Sequence, residues 1–252
     1  MRNSEKPYRI FDAPWDSDFF HVKAAKTVLD KRCSESDMIL LKKEWNQYDF
    51  VMIQNTENDA MNNVLLGTQT QAYLVDVNVQ FVMSICEQHK DQNNFIKSTQ
   101  GVYFQEPQNQ MAQNDEYVRI IENGLQYSKF FNDSNIGVEK GKELYANWVR
   151  NSFLKDEKWF VSATDGKNVL GVLLFNKCAD VCTIELVAVE KQFTGKKIGS
   201  GLLRKLVEFC CNEKVSEIHV GTQIDNLSAI GYYLKNGFQV THKHSCYHLW
   251  NK

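Results

Sequence analysis

Apolar positions along this chain recur with two periods, alternate residues in some stretches and helical spacing in others, and the changes between them mark out its elements. In the first third, residues 19–29 predict a strand, 35–47 a helix, 50–54 a strand and 59–66 a helix. A long strand follows at 72–85, AYLVDVNVQFVMSI, with Leu74, Asp76, Asn78 and Gln80 on one face and Val75, Val77, Val79 and Phe81 on the other. Such alternation gives one packed and one polar face. Over 88–99, QHKDQNNFIKST, the period is lost, which reads as a connection between domains with its boundary near 95. Beyond it the pattern predicts strands at 102–106, 159–163, 169–175, 182–189, 217–221 and 238–244, and helices at 115–128, 140–151, 198–211 and 228–236. The chain is therefore α/β (α+β), with a smaller α/β domain at 1–95 and a larger one at 96–252.

With 252 residues, 43% of them hydrophobic and 12% aromatic, the chain can bury a large core. Its longest apolar run, 169–175, is too short to span a bilayer, and MRNSEKPYRI lacks the apolar stretch of a signal peptide. These features predict a cytoplasmic protein with reduced thiols, although there are seven cysteines. A net charge of −2 offers no global field for nucleic acid or membrane, so any phosphate site must be local. Cys178 and Cys182 lack a second pair, and His242, His244 and His248 stand in a strand without supporting ligands, so no metal is expected.

Chemistry concentrates near the C-terminus. The apolar strand 181–189 runs into EKQFTGKKIGSG, and Ile198, Leu202, Leu203, Leu206, Val207 and Cys210 then fall on one helical face. Gly195, Gly199 and Gly201 permit close backbone approach, Lys196 and Lys197 add charge, and the first helical turn offers free N–H groups to a pyrophosphate. The next strand ends in Gly221-Thr-Gln without the acidic residue of a dinucleotide site and leads to Asn226, Ala229, Tyr233 and Gly237-Phe238. A faint echo links YDFVMIQNTENDAMNNVLLGTQ to SEIHVGTQIDNLSAIGYYLKNGF. It makes the first domain a degenerate copy of half of the second, with Val64 or a neighbour in the place of the tyrosine.

The order AV-x4-TGKKIGSGLL then N-x2-A-x3-Y-x3-GF resembles the GCN5-related N-acetyltransferase (GNAT) family over roughly residues 101–252. The resemblance implies a central mixed sheet flanked by helices, with acetyl-CoA as co-substrate. It implies that Val187, Ala188 and Val189 pair with the pantetheine arm, and that Thr194, Gly195, Lys196, Lys197, Ile198, Gly199, Ser200 and Gly201 form the pyrophosphate loop. Asn226 and Lys235 would complete the cofactor site, and Tyr233 would protonate the departing thiolate. Helical geometry turns Tyr232 away from Tyr233, so only one of them faces the cofactor. Two positions depart from the pattern: Thr194 stands for an arginine and Lys197 for a glycine, which narrows the space beside the pyrophosphate.

Three further stretches are similar to the dTDP-fucosamine acetyltransferases: PWDSDFF, YSKFF with ELYANWVRNS, and HVGTQIDNLSAIGYY. This similarity implies a nucleotide-linked amino sugar as acceptor, with the N-terminal domain forming part of its cleft. Asp76 stands, as a shorter aspartate in place of a glutamate, where the family has a carboxylate that takes the ammonium proton, with Glu185 as rival base, and Ser128, Lys129 and Phe130 become substrate contacts. Another small amine or a peptide N-terminus as acceptor, or a non-catalytic coenzyme A-binding module, stays open, as does a homodimer.

Overall fold

The computed structural model describes residues 6–85 and 101–251. Local signals set most element ends. Pro14 opens α1 (Pro14–Phe20), and a capping box between Ser34 and Asp37 starts α2 (Glu35–Trp45). Asp59 accepts from the amides of Met61 and Asn62 at the head of α3 (Ala60–Gln69), and Asn114 caps α4 (Asp115–Gly124). The remaining helices are α5 (Gly137–Ser152), α6 (Ile198–Asn212) and α7 (Leu227–Lys235).

The strands are β1 (Tyr8–Asp12), β2 (Ala24–Leu29), β3 (Phe50–Asn55), β4 (Tyr73–Ser84), β5 (Tyr103–Phe104), β6 (Lys158–Thr164), β7 (Val169–Cys178), β8 (Val181–Val189), β9 (Glu217–Gln223) and β10 (Gln239–Trp250). They form one mixed sheet in the order β1-β2-β3-β10-β4-β9-β8-β7-β6-β5. The expected α/β class with a central mixed sheet is therefore what the chain adopts. The predicted boundary near 95 lies outside the described residues. On either side of it the chain contributes to the same sheet, because β10 is inserted between β3 and β4. Phe50 and Met52 also share a core with Tyr117, Phe130, Leu144 and Leu186.

Several expectations are corrected. Residues 19–20 belong to α1, not a strand, because Pro14 and the backbone bond from Ser17 to Ala13 start a helix that ends at His21 in the left-handed region. The helix expected over 115–128 stops at Gly124, where the chain turns extended at Leu125. The short β1 was not anticipated, β5 is only two residues long, and β10 runs on to Trp250.

The faint echo has a geometric counterpart. β1 pairs antiparallel with β2, β2 parallel with β3, and β3 leads through α3 to β4. Likewise β7 pairs antiparallel with β8, β8 parallel with β9, and β9 leads through α7 to β10. The two units meet where β4 and β10 pair antiparallel at the centre. Counted from the capping residues Asp59 and Asn226, the position equivalent to Tyr233 is the buried Leu66, not the exposed Val64.

Among the described residues no helix is long and apolar enough to cross a membrane, and no cluster of His, Cys, Asp or Glu suits a metal ion. Cys33, Cys178, Cys182, Cys210, Cys211 and Cys246 are in no disulfide.

Candidate active site

Parallel pairing between β8 and β9 extends from Val181↔Glu217 to Ile184↔Val220 and then ends, although both strands continue. A bulge at Glu185 breaks the register with β7 at the same point and bends β8 away. The backbone bond from Glu190 to Leu170 sets the alternation along β8, so the polar backbone groups of Val187 and Val189 point into the gap. β2 and β3 provide the contrast: they stay paired over their whole length, from Ala24↔Phe50 to Leu29↔Asn55.

Beside the gap lies the start of α6, whose first residues lack any side-chain cap. The first intrahelical bond runs from Gly201 N–H to Lys197 O, leaving the N–H groups of Ile198, Gly199 and Ser200 for an anion. The matching helix of the first unit, α2, is closed by its capping box. One unit thus has an open edge and an uncapped helix, whereas its counterpart has neither.

A cavity of about 1730 Å³ joins this gap to the face of β4 and β10. Of the anticipated cofactor residues, Val187, Ala188, Val189, Thr194, Gly195, Lys197, Ile198, Gly199, Ser200, Asn226 and Lys235 line it. Two do not. Lys196 lies over the Phe193 ring, 4.6 Å from its centroid, and a Cβ at Gly201 would come within 2.1 Å of the Phe104 ring. Gly201 therefore serves packing of β5 on α6. Lys197 has φ 62°, a left-handed conformation that suits the glycine it replaces better than a lysine. The carbonyl oxygen of the Asn226 side chain caps α7 through Ala229 N–H at 3.1 Å, leaving its Nδ2 for a ligand.

Both Tyr232 and Tyr233 line the cavity, contrary to the expectation that only one would, and it is their hydroxyls that differ. Tyr232 donates its hydroxyl to Gly199 O at 2.8 Å, tying α7 to the first turn of α6. The ring of Tyr233 is buried against Phe81 and Phe238, and among the described residues its hydroxyl has no hydrogen-bond partner. Burial holds its phenol well above the usual range, so it stays protonated.

Both candidate carboxylates line the cavity, in different circumstances. Glu185 is ion-paired with Lys158, and both side chains are nearly buried. Asp76 has no ion pair among the described residues; burial pushes its carboxyl up to about 6, against the pull of Lys129. Asp76 pairs with Cys246 across β4 and β10, and Asn78 with His244, so these four side chains share one face. Lys129 and Phe130 also line the cavity, whereas Ser128 does not. Ser128 is buried, accepts from Phe130 N–H at 3.0 Å and bonds the Tyr145 hydroxyl at 3.0 Å, so it holds the segment in place.

The sequence reading gave no place in this site to Trp15, Asp16, Lys26, Tyr145, His244, Cys246 and His248, which also line the cavity. Lys26 is the lone charge within the otherwise apolar or small strand AAKTVL, a signal that was available. Burial lowers its ammonium, helped by nearby Lys129, and burial raises the neighbouring Asp16. His244, Cys246 and His248 alternate along β10, a pattern that becomes informative only once β10 is central to the sheet.

Residues 126–238 match the sequence model of the acetyltransferase (GNAT) family. The chain is 30% identical over 123 residues to the spore coat polysaccharide biosynthesis protein SpsD of Bacillus subtilis, covering 49% of this chain and 43% of that protein. It spans less than half the length of the curated relatives it matches, 43% and 46%. A functionally unknown conserved protein from Staphylococcus epidermidis superposes with a TM-score of 0.69 at 13% identity, covering 100% of this chain and 94% of that one. A GCN5-related N-acetyltransferase from Sphaerobacter thermophilus superposes with a TM-score of 0.61 at 12% identity, covering 96% of this chain and 76% of that one. At these identities the structural likeness establishes the fold.

Proposed function

We propose, starting from the match of residues 126–238 to the acetyltransferase (GNAT) family model, that the protein transfers an acetyl group from acetyl-CoA to the amino group of a nucleotide-linked amino sugar, of the dTDP-4-amino-4,6-dideoxygalactose type. The observation that carries the transferase reading is the open edge of β8 beside the uncapped start of α6, with Tyr233 and Asp76 lining the same cavity.

Acetyl-CoA supplies the activated thioester carbonyl. In this reading the backbone of Val187 and Val189 holds its amides, the N–H groups of Ile198, Gly199 and Ser200 receive its pyrophosphate, and Lys235 and Asn226 Nδ2 border the arm. Asp76 takes a proton from the acceptor ammonium, so that the neutral amine attacks the carbonyl. Tyr233 donates its phenolic hydrogen to the departing sulfur. Both steps suit the groups involved: a carboxyl near 6 is ionised at neutral pH yet basic enough to accept a proton, and a buried phenol remains an acid.

The acceptor class rests on the other end of the cavity. Lys26 and Lys129 lie there without an ion pair among the described residues, beside the half-exposed rings of Trp15 and Tyr127. Two cations and flat rings suit phosphates and a base. The polysaccharide role in the name of the SpsD relative agrees with a sugar acceptor. The segment 1–95 would supply Asp76, Lys26 and Trp15 as the acceptor wall and 96–252 the cofactor wall, in a cytoplasmic enzyme.

The test is release of coenzyme A thiol by the purified protein with acetyl-CoA against amino-sugar nucleotides, polyamines and peptides. Turnover with a nucleotide amino sugar supports the reading, and activity confined to polyamines or peptides overturns its acceptor. A binding module without catalysis is favoured by one observation, the left-handed Lys197 in the phosphate loop. Coenzyme A binding with no turnover of any amine would establish that alternative.

A further inference from the structure

Among the described residues, Asp76 Oδ2, Glu185 Oε2, His244 Nδ1 and His248 Nε2 are buried and have no hydrogen-bond partner, and all four residues line the cavity. Buried polar atoms are nearly always satisfied, so their gathering around one cavity points to partners carried by a ligand. Asp76 has a part in the proposed chemistry and Glu185 is held by Lys158. His248 has the most elaborate support and no part as yet.

Its imidazole is fixed from one side. Nδ1 donates to Asp133 Oδ2 at 2.6 Å. Asp133, itself fully buried, also accepts from the Trp250 indole at 2.9 Å, the Tyr73 hydroxyl at 2.6 Å and the Asn135 amide at 2.8 Å. Burial would raise the Asp133 carboxyl, but these donors, His248 foremost, hold it far below the usual range, so it is an acceptor only. The hydrogen must then sit on Nδ1, which leaves Nε2 a bare acceptor. Phe50 meets the ring edge-on at 4.9 Å and Phe130 lies 5.8 Å away, so the ring has little freedom to turn. Burial also keeps it neutral.

The strand register aims this acceptor at a particular place. Cys246 lies opposite Asp76, and a bulge at Val75 then brings His248 opposite Tyr73. Asn132 Nδ2 donates to the Val75 carbonyl at 2.8 Å and secures that bulge. His248 thus follows Asp76 along the same face, within about 6–8 Å, the reach of a diagonal pair. A polyhydroxylated amine whose nitrogen is served by Asp76 can place a neighbouring hydroxyl on that side.

We propose that His248, held by Asp133, is a specificity-determining residue whose Nε2 accepts a hydrogen bond from a hydroxyl adjacent to the acceptor amine. This rests on the amino-sugar reading. It assigns His248 no proton transfer; that stays with Asp76.

The experiment compares dTDP-4-amino-4,6-dideoxygalactose with its 3-deoxy analogue as acceptors for the wild type, His248→Phe and His248→Gln. Loss of the hydroxyl leaves Nε2 buried and unsatisfied, so the wild type should favour the parent sugar by about 10- to 100-fold in kcat/KM. His248→Phe should abolish the preference by raising KM for the parent sugar alone, with the pH–rate profile unchanged. His248→Gln, which can offer an amide oxygen, should restore part of it. As a check free of folding effects, the Nε2 resonance of His248 in the 15N-histidine-labelled wild type should move on adding the parent sugar and stay fixed with the 3-deoxy analogue. Equal use of both sugars by a wild type that turns them over would overturn the inference alone, as would a changed pH profile in His248→Phe. Inactivity of the wild type toward both would overturn the amino-sugar reading and this inference with it.

Discussion

Replacing Asp76 with asparagine separates catalysis from stability, because the two should move in opposite directions. Burial raises this carboxyl from the usual 3.8 to about 6. A raised folded-state pKa means that the folded protein binds the proton more tightly than the unfolded chain. The stability it contributes is complete below about 3.8 and lost as pH rises through about 6. At about 1.4 kcal/mol per pH unit the ceiling is about 3 kcal/mol. Partial solvation reduces the cost of ionised Asp76 at pH 8 to about 1–2 kcal/mol. Asp76→Asn removes the charge at nearly constant volume, so it should raise Tm at pH 8 by roughly 2–6 °C and have little effect at pH 4. Catalysis should suffer. In the thiol-release assay the wild-type kcat/KM should fall as pH drops through about 6, and the variant should lose about 100- to 1000-fold together with that acidic limb. A lower Tm at pH 8 would refute the desolvation argument. An acidic limb retained in Asp76→Asn but absent in Glu185→Gln would transfer the base to Glu185 despite its pairing with Lys158.

Tyr233→Phe should lower kcat by about 100-fold with coenzyme A affinity by calorimetry nearly unchanged, since only the unpartnered hydroxyl is lost; unchanged turnover would remove the proposed acid. Lys26→Ala and Lys129→Ala should each raise KM for a nucleotide-linked acceptor by about 10-fold, less at high salt, and leave KM for acetyl-CoA alone. Gly201→Ala should cost about 1–3 kcal/mol in denaturant unfolding, because its Cβ would come within 2.1 Å of the Phe104 ring.

The proposed cofactor half of the site was legible because it is nearly continuous in sequence. An apolar strand, a glycine-bearing turn and an amphipathic helix specify β8, the loop and α6 from local pattern alone. Lys196 and Gly201 fell outside the cavity because sequence order does not reveal which side of a turn faces the ligand, nor that Phe104 from a distant strand claims the space beside Gly201. The proposed acceptor half was mostly hidden. Asp76 was marked by the family resemblance at a position on the polar face of β4, but His244, Cys246 and His248 acquire meaning only when β10 is placed between β3 and β4, more than 150 residues earlier in the chain. Asp133 sits in an irregular segment with no period, and its four donors come from three separate regions. The misread start of α1 has a similar cause: Phe19 and Phe20 are apolar enough for a strand, and only the helix geometry turns Phe20 onto Phe50, Phe130 and Trp250.

The paired architecture fits the proposed placement of one catalytic site between two similar units. Each unit has a parallel pair with a helix between its strands, and in each a strand and helix then lead to a central strand. In the first unit the pair stays zipped and the head of α2 is occupied by its own capping box, so there is neither an open edge nor an uncapped helix start for a cofactor. In the second unit the bulge at Glu185 parts β8 from β9 and α6 starts uncapped, so both are present. The first unit's contribution is its central strand. β4 sits one strand from β9 and two from β8, about 5 and 10 Å across the sheet. A carboxylate on β4 is therefore too far from the gap to touch a thioester held against β8, yet close enough to serve an amine arriving from the β10 side, directly or through one water. In the proposed reaction that separation would let coenzyme A approach from one unit and the acceptor from the other, with Asp76 and Tyr233 on either side of the bond that forms.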